Sequence, residues 1–157
     1  LEYEFENSVG YWVVMAAHAL QRALNEELAP HGMTHRQWQV LCWLAIDGPL
    51  PQNELAERMN IEPATLVSVL ARMERNGWIG RRACPSDGRR RVVFPKPKAK
   101  PIWEQGVQCA RRVREQATRG FNADDRERLK HLLAAMLGNL REDGATRHEQ
   151  LLEAEVA

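Results

Sequence analysis

Along the chain, segments whose apolar residues recur every three or four positions alternate with short breaks rich in Pro, Gly and Asn. From Ser8 to Ala29, Val9, Val13, Ala16, Leu20, Leu24 and Leu28 fall at helical spacing, and Pro30 and Gly32 close the segment. Thr34 followed three residues later by Gln37 is a capping-box signature. It opens a second helix, about His35 to Ile46, in which Trp38, Leu41, Cys42 and Leu44 predict extensive burial. Asp47-Gly48-Pro49 breaks the chain before two short helices with a tight joint. The first runs from Gln52 to Met59, Asn60-Ile61-Glu62 makes the turn, and Pro63 opens the next, which ends at Asn76 with Gly77 as its stop. In that helix Leu66, Val69, Leu70 and Met73 form a core stripe, while Ala64, Thr65, Ser68 and Arg72 share another face.

The period then changes. Trp78 to Cys84 and Arg91 to Pro95 read as strands around Pro85-Ser86-Asp87-Gly88, and Asp-Gly is a hairpin signal. Pro95, Pro97 and Pro101 separate the hairpin from a long helix starting at about Lys98 or Ile102 and ending near Phe121. Asn122 caps a last helix, Ala123 to Asp143, with Asp124 and Asp125 near its positive end and Gly144 as its stop. The fold class is therefore mainly α with a small β-hairpin wing: a winged helix-turn-helix flanked by terminal helices. The expected organisation is a helical dimerisation region (8–33 and 101–144), a winged DNA-binding domain (34–100) and a tail (145–157). The terminal helices carry Val9, Trp12, Val13 and Leu20, and Leu129, Leu132, Leu133, Met136, Leu137 and Leu140, with little in one chain to bury them. Packing across a two-fold axis resolves this, and a dimer then meets a palindromic site as two half-sites.

At 157 residues the chain suffices for one domain with a real core, and no apolar run approaches the ~18 residues of a membrane span. The acidic opening Leu1-Glu2-Tyr3-Glu4-Phe5-Glu6 does not resemble a signal peptide. Cys42, Cys84 and Cys109 are odd in number and lack CxxC spacing, which suggests thiols in a reducing cytoplasm. Net charge is +1, but residues 72–100 hold 10 Lys/Arg against 2 Asp/Glu, whereas residues 1–71 hold 3 against 9. A basic stretch in an otherwise acidic chain is the footprint of a polyanion binder, or of a solvated basic loop.

The residues resemble the MarR family of bacterial transcription regulators. The likeness rests on Asn53-Glu54-Leu55-Ala56-Glu57-Arg58-Met59, Thr65-Leu66-Val67, Leu70 through Met73, Gly77-Trp78-Ile79, Arg81-Arg82, and an Asp-x-Arg wing signature in Asp87-Gly88-Arg89-Arg90. Where that family usually has Leu-Thr and a nearby Gly after the second wing strand, this chain has Pro95-Lys96 and Ala99. The start of the following helix is therefore left open. The resemblance implies a homodimeric DNA-binding regulator, with many family members binding phenolic or aromatic acids between the dimer helices and the DNA reader.

Candidate DNA-binding residues are Ala64, Thr65, Ser68, Arg72 and Arg75 on the second short helix, and Asp87, Arg89 and Arg90 in the wing. Arg89 is the candidate minor-groove arginine and Asp87 its orienting partner; the bland alternative is an Asp–Arg pair that only stabilises the turn. For an effector, Tyr11, Met15, His18 and Arg22 share one helical face, Trp12 borders it, and Trp38 is expected to approach it. Aromatic walls with a basic end suit an aromatic carboxylate, although the same residues would also serve simple dimer packing. Enzymatic readings find no support: there is no glycine-rich phosphate loop, no GxSxG and no HExxH, and no cofactor is implied. A redox- or metal-responsive regulator of the same fold, with Cys84 near Arg82 or His31 and His35 four apart, and a winged-helix protein-interaction module without specific DNA binding are the alternatives.

Overall fold

The computed structural model describes residues 4–84 and 90–140. It falls into two compact units, Leu1–Glu115 and Gln116–Ala157. The elements of the first are α1 (Val9–Leu28), α2 (His35–Asp47), β1 (Leu50–Pro51), α3 (Gln52–Arg58), α4 (Pro63–Arg75), β2 (Ile79–Ala83), β3 (Arg91–Pro95) and α5 (Ala99–Ala117), which crosses the unit boundary. The second unit contributes α6 (Ala123–Asn139). Short 3-10 turns lie at Phe5–Asn7 and Ala29–His31. Among the described residues no helix is long and apolar enough to cross a membrane.

Local chemistry sets most boundaries. The predicted box at the start of α2 is complete: the Gln37 backbone N–H donates to the Thr34 hydroxyl and the Thr34 N–H to Gln37 Oε1. An equivalent box joins Asn122 and Asp125 at the start of α6. Pro63 occupies the first turn of α4, where no backbone N–H is needed. Gly77, at φ +76°, ends that helix in a left-handed cap: its N–H donates to Glu74 O and that of Trp78 to Met73 O. Asn60, at φ +49°, makes the α3–α4 turn in the same way, with its N–H on Glu57 O and that of Ile61 on Ala56 O.

The sheet has one strand more than the sequence predicts. Leu50–Pro51 pairs antiparallel with β3, Leu50 facing Val93, and β3 in turn pairs with β2, Arg81 facing Val93. β3 is thus central, and the hairpin is joined to the chain just before α3. The proline-rich exit from β3 proves tight. The Lys96 N–H donates to Trp78 O, the Ala99 and Lys100 N–H groups donate to Lys96 O and Pro97 O, and α5 begins at Ala99 with Pro101 in its first turn.

One core serves the first unit. Leu28, Met33, Val40, Leu55, Leu66, Leu70, Met73, Ile79 and Val93 are sealed in it. Much of α1 is not. Of the predicted stripe only Leu28 is buried, with Leu24 and Val13 partly so, whereas Val9 is 68% and Leu20 43% exposed, as is Trp12 at 57%. In the second unit α6 buries no residue fully: Leu132 is 61% and Leu140 77% exposed. The predicted last turn to Asp143, Gly144 and the tail lie outside the described residues.

Candidate nucleic-acid interface

α4 is divided sharply into two faces. Leu66, Leu70 and Met73 are completely buried, so the helix is held by one side. Ala64, Thr65, Ser68, Arg72 and Arg75 all stand exposed on the remainder, together with Val67. The Ser68 hydroxyl donates to Thr65 O at 2.8 Å, which leaves its oxygen lone pairs as the outward-facing function. The sequence reading omitted Val67, an exposed apolar side chain of the kind that meets a thymine methyl.

The hairpin adds positive charge beside this helix. Arg82 and Arg91 are exposed, and the Arg82 guanidinium sits over the Phe94 ring, 5.3 Å from its centroid. Arg81 turns back instead, and its Nε donates to Glu74 Oε2 at 3.1 Å, tying β2 to the last turn of α4. That hydrogen bond, helped by the nearby charges of Arg81, Lys96 and Arg91, holds the Glu74 carboxyl below the usual glutamate range against the effect of burial. Asp87 and Arg89 lie outside the described residues.

Arg90, a candidate DNA contact in the sequence, has its guanidinium on α3. Its Nη2 donates to Glu54 Oε1 at 2.7 Å and to Asn53 Oδ1 at 3.3 Å, both on α3. Glu54 also accepts from Arg58, which forms an ion pair with Asp47 at 2.9 Å. Burial opposes ionisation of Glu54, yet the hydrogen bonds from Arg58 and Arg90 prevail and hold its carboxyl below the usual range.

The predicted effector residues are only partly brought together. Trp38 is not brought to the others: it is 8% exposed, stacks on Trp103 in the core and does not line the cleft that holds His18 and Arg22. Its position is set by α5, which a reading of α1 and α2 alone misses. Tyr11 and Trp12 join an edge-on aromatic cluster with Phe5, and the Trp12 indole N–H donates to Glu6 O at 3.0 Å. Met15 is 46% exposed and is not part of the cleft that holds His18 and Arg22. His18 and Arg22 do line one, an open cleft of about 550 Å³ completed by Gln21, Asn25, Thr34, His35 and Arg36. Asn25 Oδ1 accepts from the His35 backbone N–H at 3.1 Å, which fastens the start of α2 to α1 there. Burial, and then the charge of Arg36, lower the pKa of His35, which favours its neutral form. Arg22 has only a loose, exposed pairing with Glu26 at 3.9 Å.

The cysteines are spread out. Burial pushes the Cys42 thiol up to about 12, which makes it an inert core group. Cys109 is buried and donates to Glu27 O. No cluster of three or more metal-binding side chains occurs among the described residues.

Comparison with known proteins agrees with this geometry. The MarR family model matches residues 33–90, which run from just before α2 to the residue before β3. An uncharacterized HTH-type transcriptional regulator, YwoH of Bacillus subtilis strain 168, is 31% identical over 122 residues, 78% of this chain and 88% of that protein. The multiple antibiotic resistance protein MarR of Salmonella typhimurium is 29% identical over 82% of this chain and 90% of its own. Among solved structures, a point mutant of E. coli MarR complexed with operator DNA superposes with a TM-score of 0.73 at 28% identity, over 82% of this chain and 93% of that one. A one-sided α4 beside a basic hairpin, in a chain that matches such regulators over most of their length, makes this protein a member of the MarR family of winged-helix transcription regulators.

Proposed function

We propose that this regulator acts in the cytoplasm as a homodimer that reads a palindromic operator and is released from it by a small carboxylate effector. The observation that carries the DNA-reading part is the division of α4. Its inner face is anchored by Leu66, Leu70 and Met73, while Ala64, Thr65, Val67, Ser68 and Arg72 are free to meet a major groove. Arg72 and Arg75 supply phosphate contacts, and Thr65, Val67 and Ser68 supply base contacts. Arg89, with Asp87 orienting it, is the proposed groove-seeking wing residue. The exposed Val9, Trp12 and Leu20 on α1, and Leu132 and Leu140 on α6, support a two-fold partner that covers them. Residues 8–33 and 101–144 then form the dimer base, and 34–100 the reader.

For the effector, the cleft at His18, Arg22, His35 and Arg36 combines two guanidinium groups and two imidazoles with no carboxylate in its lining. That chemistry favours an anion. The aromatic acids remain the natural test set, with the charged end of the ligand at Arg22 and Arg36. A ligand there shifts DNA affinity only through a difference in its own affinity for the two dimer poses.

Selection from a pool of random-sequence duplexes tests the reading. The wild-type protein should enrich a two-fold symmetric motif with half-site centres about 10–10.5 bp apart. Enrichment of no motif would remove specific DNA recognition and leave the protein-interaction reading in its place.

A further inference from the structure

The proline-flanked hairpin must keep a fixed pose against α4 if both are to engage one duplex, and beside the β1–β3 pairing and the buried Val92 and Val93, two arginines help to set that pose. One is Arg81, on Glu74. The other is Arg90, which stands just before β3 at the loop end of the hairpin and turns inward to α3 with one nitrogen shared between Glu54 and Asn53, 36 and 37 residues earlier in the chain. Glu54 is held in turn by Arg58, and Arg58 by Asp47 at the end of α2. The four charged groups form a chain from α2 through α3 to the hairpin, alternating in sign at every step. Arg58 is well buried, with its side chain 13% exposed, and Glu54 and Arg90 are a little over one-third exposed, so the Glu54–Arg58 end of the chain is the better shielded from solvent.

We propose that Arg90 is a positioning residue and not a groove contact: through Glu54 and Asn53 it locks the hairpin onto α3 and so holds the hairpin and α4 in the relative pose that operator binding requires. This deepens the DNA-reading proposal above and rests on it. The two assignments of Arg90 predict opposite signs for one substitution. If Arg90 were a phosphate contact merely restrained by Glu54, Glu54→Gln would release the guanidinium and remove a negative charge, so DNA would bind more tightly. If Arg90 is a lock, Glu54→Gln loosens the hairpin and DNA binds less tightly.

The experiment has two arms, and the first needs no DNA. Amide hydrogen exchange of the Val92–Phe94 segment is measured in the free wild type, Glu54→Gln, Arg90→Gln and the double variant. Each single variant should exchange roughly three- to tenfold faster, and the double variant no faster than either, because all break the same link. Wild-type rates in either single variant would overturn the lock. The second arm uses a duplex selected from a random pool by the wild-type protein. Glu54→Gln and Arg90→Gln should each weaken binding roughly three- to tenfold while leaving the dependence of log affinity on log salt unchanged. Unchanged or tighter binding by Glu54→Gln, or a slope in Arg90→Gln shallower by about 0.9 for each phosphate no longer neutralised, would overturn the assignment. Absence of any selected duplex would sink the DNA-reading proposal, and the exchange arm would still decide the lock.

Discussion

The indole of Trp38 lies stacked on that of Trp103, with ring centroids 4.7 Å apart and planes 19° from parallel. The stack fastens α2 to α5, and so joins the first helix of the winged unit to the helix that leaves its wing. It is possible only because α5 carries Gly106 at the crossing. A Cβ there would come within 2.4 Å of the Trp38 ring and 2.8 Å of Met33 Cε. Gly106→Ala should therefore destabilise the fold despite the better helix propensity of alanine. Overpacking of this kind costs about 1–3 kcal/mol, against about 1 kcal/mol gained from propensity. A urea midpoint at or above the wild-type value would show that the crossing is looser than the stack implies.

Glu74 provides a pH-dependent link between the reading helix and the hairpin. The hydrogen bond from Arg81 lowers its pKa below the ordinary 4.5 in the folded protein. A carboxylate depressed on folding contributes stability above its unfolded pKa, and loses it as pH falls through the folded value. Wild-type stability should thus fall below about pH 4.5, with Glu54 contributing in the same direction. Glu74→Gln should shrink that fall by no more than about 1 kcal/mol, because the pair is partly solvated. Chemical denaturation of both proteins at about pH 6 and about pH 3.5, above and below the ordinary 4.5, measures this. An equal fall in the two would exclude the Arg81 link.

How far the residues alone foretold this arrangement depends on the range of the interactions involved. The box at Thr34–Gln37, Asn122 as a cap, Pro63 at a helix start and Gly77 at a helix end were legible because the groups involved lie within a few residues of one another. Leu50–Pro51 was not legible as a strand: two residues carry no period, and the partner Val93 lies far along the chain. Trp38 read equally well as core or pocket wall until Gly106 made room for it from another helix. Arg90 read as a wing cation because the carboxylate that turns it inward sits on α3. The exposed stripe of α1 was legible as a helix face, but its proposed covering belongs to a partner.

That covering is open to direct test. Trp12 and Leu20 are exposed along the outer side of α1 and take no part in the core of their own unit. Trp12→Glu and Leu20→Glu should leave a single chain folded, since neither side chain supports that core. Each would put a charge into the proposed two-fold contact at a cost of several kcal/mol. Sedimentation at micromolar concentration should give dimers for the wild type and monomers for both variants, with circular dichroism little changed. A monomeric wild type would rule out the two-fold contact.

The cleft between α1 and the start of α2 makes a separate forecast. If a carboxylate effector is held by Arg22 and Arg36, either alanine variant should require about tenfold more ligand to release the same selected duplex, the effect of removing one charge-assisted hydrogen bond. Trp12→Ala, on the aromatic cluster outside the cleft, should not change the release midpoint in any protein that remains dimeric. Titration of benzoate and its hydroxylated derivatives against the preformed complex reads out both. Identical midpoints in wild type, Arg22→Ala and Arg36→Ala would place the effector elsewhere.

DNA reading by the exposed face of α4 is tested most directly at Arg72, an outward cation of that face. Its test is the affinity for the selected duplex from about 50 to 200 mM salt, for wild type and Arg72→Ala, each verified as a folded dimer. Wild-type affinity should fall steeply with salt. Arg72→Ala should bind more weakly at every salt concentration, with a log–log slope shallower by about 0.9 for each of two phosphate contacts, one per half-site. Wild-type affinity and slope in Arg72→Ala, or a wild-type affinity indifferent to salt, would show that α4 does not lie against DNA.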